Sequence, residues 1–398
     1  MAKLGGMSTP EIHVGPVVIV GGGLAGQRCA ETLRRRGYAG AIRMVCAESD
    51  PPYDRPPLSK DVLGDASREM ALPYRPAVWY QEHDVELLLG VRAERLRPAE
   101  RCVDLSDGSS LRYGQLLIAT GSAPRDLPVL GRGENVSVLR TLPDSRVLRE
   151  ALASGSHLAV VGAGFIGQEV AASARRLGLQ VTMIEAAPQP LVGVLGPELG
   201  AWFAGLHRTE GVRVLTNTSV QGTTRNGRVR GLQLTGGEEI EVDHVLVAVG
   251  VLPSVRWLAG TGLDGAAGVP IDACARTECQ QVYAAGDVAA TRHPVSGRRV
   301  PGAHWESAGR QGTVAAQAML GDTPAPAPPS SFWSDQYGLR IQYVGSSEGS
   351  DAMLLDGDPD QRSFTATFTS QGRPVAALLV NRPRALPAVR AQIQRGTS

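Results

Sequence analysis

Lysine is nearly absent from this 398-residue chain: only Lys3 and Lys60 occur, and every other long basic side chain is arginine. With abundant alanine and glycine, that bias looks like the codon composition of a GC-rich genome. It leaves Lys60 as a choice to be explained. That residue sits in the proline-rich stretch PPYDRPPLSKD (Pro51 to Asp61), where helix and strand patterns both fail. Long apolar runs are also missing. None approaches the ~18–20 residues of a membrane span, and the opening MAKLGGMSTPEIHVG has no apolar signal core. A cytoplasmic protein without a membrane partner is expected. The five cysteines (Cys29, Cys46, Cys102, Cys274 and Cys279) are odd in number and form no CxxC pair. That argues against a disulfide scaffold or a zinc site. The seven histidines show no HxxxH spacing, so no metal is expected. The formal net charge is +1, with both signs mixed along the chain. It gives no electrostatic reason to bind nucleic acid.

What is present is a repeated unit. The β-branched run Val17 to Val20 meets GGGLAG and then the helical QRCAETLRRRG, which puts Gly21, Gly23 and Gly26 in GxGxxG spacing. The first glycine permits the tight turn, the second lets backbone approach a pyrophosphate, and the third lets helix and strand pack closely. The diphosphate then rests on N–H groups at a helix start. A second apolar stretch, IRMVCAE, ends in Glu48, placed for ribose hydroxyls. The interval from Gly21 to Glu48 exceeds the usual ~20 residues, and the turn GYAGA accounts for the excess. One GxGxxG is a weak signal. Here HLAVVGAGFIGQEVAASARRLGLQVTMIE repeats the pattern with Gly162, Gly164 and Gly167, then Glu185 at a strand end. Two complete units imply two dinucleotides.

At roughly 100–200 residues per domain, the length suits two or three domains. LLIATGSAPR and VLVAVGVLPS each run from an apolar strand through glycine into a proline turn, and they bracket the second unit. The simplest organisation is one domain interrupted by another, left near Gly121 and rejoined near Gly250. VYAAGDVA then reads as a short buried strand with Gly286 and Asp287 at a helix start. GDTPAPAPPSS reads as a semi-rigid linker. Beyond it, RSFTATFT and PVAALLVN alternate as in a small antiparallel sheet, with a final helix from about Leu386.

The order of the first GxGxxG, YDRPPLSK, ATG, the second GxGxxG with QE after it, and AAGD resembles the two-dinucleotide flavoprotein reductases. YDRPPLSK and the tail FWSDQYGLRIQYVG narrow the resemblance to the FAD-dependent ferredoxin and rubredoxin reductases of oxygenase systems. It covers nearly the whole chain, from about Val17 to Ala388. It implies an α/β fold of two Rossmann-like dinucleotide-binding domains plus a C-terminal α+β domain. The FAD domain would span 12–121 and 251–324, interrupted by an NAD domain over 122–250. The C-terminal domain would cover 331–398, and residues 1–11 would form a flexible terminus. It also implies hydride delivery from NADH to FAD, then single electrons to a small [2Fe–2S] ferredoxin that feeds a cytochrome P450 or similar oxygenase. A monomer or weak dimer is expected. A quinone, a radical, a dye or O2 remains an alternative acceptor. A redox-sensing or DNA-associated role would favour a strongly basic surface or a targeting segment, and the sequence has neither.

Relatives on this scaffold that reduce disulfides or peroxides need a cysteine after the second strand of the FAD unit. ESDPPYDRPPLSKDVLG has none there, and Cys274 and Cys279, spaced CxxxxC, lie just before VYAAGD instead. GSSEG (Gly345 to Gly349) matches GxSxG, but SDAMLLDGDPD after it reads as loop or hairpin rather than the helix a nucleophile elbow requires.

By position in the matched motifs, Gly21, Gly23 and Gly26 would hold the FAD diphosphate and Glu48 the adenosine ribose. Arg55 and Arg125 would neutralise phosphates, and Ala93 would meet adenine through backbone. Asp287 would bond the ribityl chain, and Trp305 would lie against the isoalloxazine or else pack as a helix-start core aromatic. Gly162, Gly164 and Gly167 would seat the NADH diphosphate, and Glu185 would take the 2′-hydroxyl, favouring NADH over NADPH. Phe165 would cover the nicotinamide or else pack in the core. Ile166 and Gly250 complete the expected contacts. Lys60 would point at flavin N5 and pair with Glu169. A compact ammonium suits that edge better than a guanidinium. Lys60, Glu169 and Trp305 are thus the expected catalytic group. Arg292, Arg298, Arg299, Arg310 and Arg340 would form a basic patch for an acidic ferredoxin, or simply a solvated surface.

Overall fold

The computed structural model describes residues 15–131, 133–293, 296–302, 304–325 and 327–396. The expected flexible terminus over 1–11, and residues 12–14 of the expected first segment, lie outside the described residues. The chain forms two compact units. One comprises residues up to Tyr53, Pro73–Ser122 and Pro253–Ala327; the other comprises Asp54–Leu72, Ala123–Leu252 and the chain from Pro328.

In the first unit, the apolar run Val17–Val20 lies at the centre of a parallel five-stranded sheet. The order is Val282–Ala284, Gln115–Ile118, Val17–Val20, Ile42–Cys46, Val85–Leu89. The central strands are buried on both faces, which is why they read as continuous apolar runs rather than alternating ones. Helix Leu24–Arg35 lies against helix Trp305–Met319. At Gly312 the helices come so near that a Cβ would lie within 2.1 Å of the Ala25 carbonyl oxygen.

The strand expected in VYAAGDVA is present, but the helix start after it is not. Gly286 takes φ +82° and Asp287 occupies a turn closed by the Ala289 N–H on the Gly286 carbonyl at 2.9 Å. The chain then enters strand Ala289–Arg292. Gly286 permits that left-handed turn, and the apolar Val288–Ala290 stretch is drawn into the core as strand before a helix can form.

The second unit holds a parallel sheet in the order Arg213–Leu215, Gln180–Ile184, His157–Val161, His244–Val247, Val136–Ser137. It also contains a five-stranded antiparallel sheet in the order Ser331–Gln336, Leu339–Gly345, Arg373–Val380, Ser363–Ser370, Ala352–Asp358. Helix Leu386–Gly396 covers one face through Ile393, which meets Val344, Ala377 and Leu379. The other face meets Leu199 and Phe203 of the kinked helix Val192–Thr209. After GSSEG the chain enters strand Ala352–Asp358 of a hairpin, with no helix.

The segment Asp54–Leu72 packs within this second unit. Proline biases the residue before it toward extended backbone, yet these prolines do not hold an extended chain up to Leu58. Pro56 and Pro57 open a 3₁₀ turn, Pro56–Ser59, and short helix Asp61–Gly64 comes next. Proline is tolerated in a first turn because its missing N–H has no partner to lose there. Side chains from outside the segment pin it. Ser145 and Ser173 donate to the Leu58 and Ser59 carbonyls at 3.0 and 2.9 Å. Arg146 and Arg149 hold Glu69 at 2.9 and 2.7 Å.

Two buried histidines make the second unit acid-sensitive. His207 Nε2 faces the Gln168 Oε1 acceptor at 3.1 Å and Nδ1 faces the Tyr337 hydroxyl at 2.6 Å. Burial pushes His207 and His244 down from the ordinary 6.5 to about 4. Each is neutral in the fold, whereas the unfolded chain takes up a proton near pH 6.5. Their contribution is therefore complete above that pH and lost as pH falls toward 4, roughly 3 kcal/mol each at the limit. The urea midpoint is expected to fall steadily between pH 7 and 4.5; a flat profile across that window would contradict it.

Candidate functional site

The two glycine turns are built alike. Gly21 takes φ +124°, and a Cβ there would lie 2.0 Å from the Ala119 carbonyl oxygen. A Cβ on Gly26 would lie 2.2 Å from the Gly21 oxygen. Gly162 takes φ +102° with 2.4 Å to the Ala248 oxygen, and Gly167 would meet the Gly162 oxygen at 2.2 Å. Only the middle glycines, Gly23 and Gly164, face open space, with nothing within 4 Å. Each is the N-cap of a 12-residue helix and makes no side-chain cap bond. Close packing below and a bare, N–H-rich helix start above make a cradle that fits a diphosphate. FAD and NADH therefore suit the residues present.

A carboxylate stands at the matching strand end in both units. Glu48 Oε2 accepts from the Tyr53 hydroxyl at 2.5 Å. Glu185 Oε2 accepts the Ala163 N–H within the glycine turn, and Oε1 accepts the Ala187 N–H, both at 2.8 Å. Glu185 is thus held against the glycine turn.

The second unit also assembles Lys60 and Glu169. The ammonium donates to Glu169 Oε2 at 2.8 Å and to the Pro56 carbonyl at 3.1 Å. An ammonium has three N–H groups, and among the described residues the third has no protein partner. The pair is largely enclosed, with side chains 15% and 6% exposed. Ser59 adds a donor to Oε2 at 2.5 Å, and Ser334 donates to Oε1 at 2.6 Å. Glu169 lies on helix Phe165–Arg176, whose first residue packs edge-on against Phe332 at 4.7 Å and Phe203 at 6.4 Å. Phe165 is a member of that aromatic cluster, yet only partly buried; Ile166 beside it is exposed.

The other expected residues divide between the units. In the first, Ser122 donates to Asp287 at 3.0 Å, Trp305 begins helix Trp305–Met319, and Ala93 begins strand Ala93–Arg97. In the second, Arg55 donates to the Arg140 carbonyl at 2.8 Å, and the Arg125 N–H donates to the Gly250 carbonyl at 3.0 Å. The arginines named for a basic patch differ in kind. Arg292, Arg298 and Arg299 are exposed, but burial holds Arg310 below its ordinary value. Arg340 is spent on Asp335 at 2.9 Å and stacks over Trp333 at 5.2 Å.

Two family models match the chain. One, described as pyridine nucleotide-disulphide oxidoreductase, covers residues 15–312, and one described as reductase C-terminal covers residues 331–398. The chain belongs to the pyridine nucleotide-disulphide oxidoreductase family. It is 37% identical over 386 residues to the 5,5'-dehydrodivanillate O-demethylase ferredoxin reductase subunit of Sphingobium sp. (strain NBRC 103272 / SYK-6), covering 96% of this chain and 93% of that one. It is 38% identical over 383 residues to the anthranilate 1,2-dioxygenase system ferredoxin--NAD(+) reductase component of Burkholderia cepacia, covering 96% and 94%. Its fold matches the reductase in the covalent putidaredoxin reductase–putidaredoxin complex, with TM-score 0.92 and 32% identity over 96% of this chain and 93% of that one. FAD and NAD(H) are the cofactors of this oxidoreductase. All five cysteines of this chain are free. The buried Cys46 thiol is pushed up to about 12 by its burial, which makes it a poor thiolate.

Reading the sequence did not single out Ser59, Ser334, Gln168 or His207. Ser59 and Ser334 both lie inside recognisable motifs, YDRPPLSK and FWSDQYG. Nothing in one dimension places Ser334 beside Glu169, 165 residues away.

Proposed function

We propose that this protein is an NADH-dependent ferredoxin reductase that feeds electrons to an oxygenase such as a cytochrome P450, through a small [2Fe–2S] ferredoxin. The observation that carries the reading is the duplicated glycine cradle, each copy with its own strand-end carboxylate, in a chain whose cysteines do not pair. FAD, when bound, joins a two-electron nicotinamide to a one-electron iron–sulfur cluster. Gly21, Gly23 and Gly26 seat its diphosphate, Glu48 its ribose, and Arg55, Ala93, Arg125, Asp287 and Trp305 serve its remaining parts. Gly162, Gly164 and Gly167 seat NADH, with Phe165, Ile166 and Gly250 beside them. Glu185 receives the 2′-hydroxyl and repels a 2′-phosphate. Lys60 presents its remaining N–H to the flavin edge, and Glu169 steadies it.

The test is a visible spectrum during NADH addition, and then cytochrome c reduction with and without ferredoxin. Flavin bands should bleach, NADPH should act at least tenfold more weakly, and turnover should need ferredoxin and fall steeply with salt. A colourless protein that FAD cannot restore would refute the reading. Cytochrome c reduction indifferent to ferredoxin would favour a quinone or O2 acceptor.

A further inference from the structure

We propose that Ser334, on the first strand of the C-terminal antiparallel sheet, is a positioning residue for NADH oxidation: its hydroxyl fixes the Glu169 carboxylate and, through it, the Lys60 ammonium. This rests on the function proposed above. An ionised carboxylate is acceptor-only, and Glu169 divides its two oxygens unequally. Oε2 receives both Ser59 and Lys60, whereas Oε1 has Ser334 as its side-chain donor, at 2.6 Å.

The direction of that hydrogen bond is set from behind. Gln336 Nε2 donates to the Ser334 oxygen at 3.0 Å. A hydroxyl has one proton, so with its oxygen occupied as acceptor Ser334 has its O–H left for Glu169. The chain therefore runs one way, from Gln336 through Ser334 to Glu169, where Lys60 meets it. Ser334 is fully buried and Gln336 nearly so, leaving little water to substitute for a lost donor. Two adjacent residues of helix Phe165–Arg176 are gripped from this one edge of the sheet. Ser334 holds Glu169, and Tyr337, just past the strand end, holds His207, which faces Gln168.

Without the Ser334 hydroxyl, Oε1 remains buried with no side-chain donor among the described residues, and a hydrogen bond to a charged group contributes more than a neutral one. Among the described residues the charged group facing Glu169 is Lys60 and its neutral partners are Ser59 and Ser334, while the neutral His207 lies by Gln168 and by Gln336, behind Ser334.

The experiment compares wild-type holoprotein with Ser334→Ala. It measures the single-turnover rate of NADH-driven bleaching against pH, and separately the visible spectrum of bound FAD against pH without NADH. Ser334→Ala should retain FAD, change KM for NADH less than about twofold, and lower kcat about tenfold. The pH dependence of the rate and of the bound-FAD spectrum should both differ from those of the wild type. Ser334→Cys, which keeps a weak donor, should fall between the two, and it replaces the alanine variant if that loses FAD. Unmoved pH profiles and an unchanged rate in an FAD-loaded variant would overturn the proposal. A wild-type protein that NADH fails to bleach would instead sink the functional reading on which it rests.

Discussion

Gly167→Ala is expected to weaken NADH binding more than about a hundredfold while leaving FAD in place. The new methyl would lie 2.2 Å from the Gly162 carbonyl oxygen and 3.2 Å from Val160 Cγ1. The nearer contact is backbone, so no side-chain rotation relieves it. Helix Phe165–Arg176 must lift from strand His157–Val161, and the open cradle at Gly164 moves with it. An overpacking cost of about 3 kcal/mol corresponds to roughly a hundredfold in affinity. The first turn is untouched, so the visible spectrum should persist and simply fail to bleach at ordinary NADH concentrations. Gly26→Ala is the mirror case, with the same 2.2 Å approach to Gly21, and should cost FAD instead. A Gly167→Ala protein with near wild-type KM for NADH would show that the second cradle does not hold the nicotinamide cofactor.

Lys60→Met should destabilise the protein by roughly 3–5 kcal/mol, the usual result of removing one partner from an enclosed ion pair. Glu169 would keep its two serine donors but lose its counter-charge, at a side chain only 6% exposed. Lys60→Arg separates charge from shape. It retains a cation, yet a planar fork cannot meet Glu169 and the Pro56 carbonyl in one compact group. FAD should stay bound while NADH-driven reduction slows about tenfold. At an effective dielectric near 20, a unit charge ~4 Å away contributes at most about 4 kcal/mol before desolvation. A net ~1–2 kcal/mol corresponds to roughly 20–45 mV in a two-electron potential. Lys60 therefore tunes and positions rather than driving turnover as an acid or base. Stopped-flow reduction of Lys60→Arg at the wild-type rate would overturn this role, and an unchanged urea midpoint in Lys60→Met would refute the stability claim.

The parts legible in the sequence were those in which local chemistry and fold agree. Val17–Val20 and His157–Val161 announce themselves as strands because parallel strands buried on both faces must be apolar throughout. The glycines of each turn are fixed by contacts within one strand–turn–helix unit, so their spacing alone carries the geometry. The pairing of Lys60 with Glu169 was expected from motif resemblance, whereas their serine partners were not. A serine has no periodicity and no charge to mark it, and Ser334 gains its meaning from a contact spanning 165 positions. Asp287 was misplaced onto a helix start for a related reason. Glycine before aspartate suits a helix cap or a turn equally, and the apolar residues after it decide in favour of strand.

The pinning of Asp54–Leu72 bears on how this protein can be re-engineered. The chain passes between its two units five times, and two of those crossings bound this nineteen-residue segment. Exchanging Ala123–Leu252 alone for a homologous module, to change nicotinamide preference, would carry Glu169 away from the lysine and the two serines that hold it. The incoming Ser145, Arg146, Arg149 and Ser173 equivalents would also meet a loop selected against other side chains. The interchangeable part is therefore a set of three pieces: Asp54–Leu72, Ala123–Leu252 and the sheet that bears Ser334. Grafts that transplant all three keep their buried charges matched.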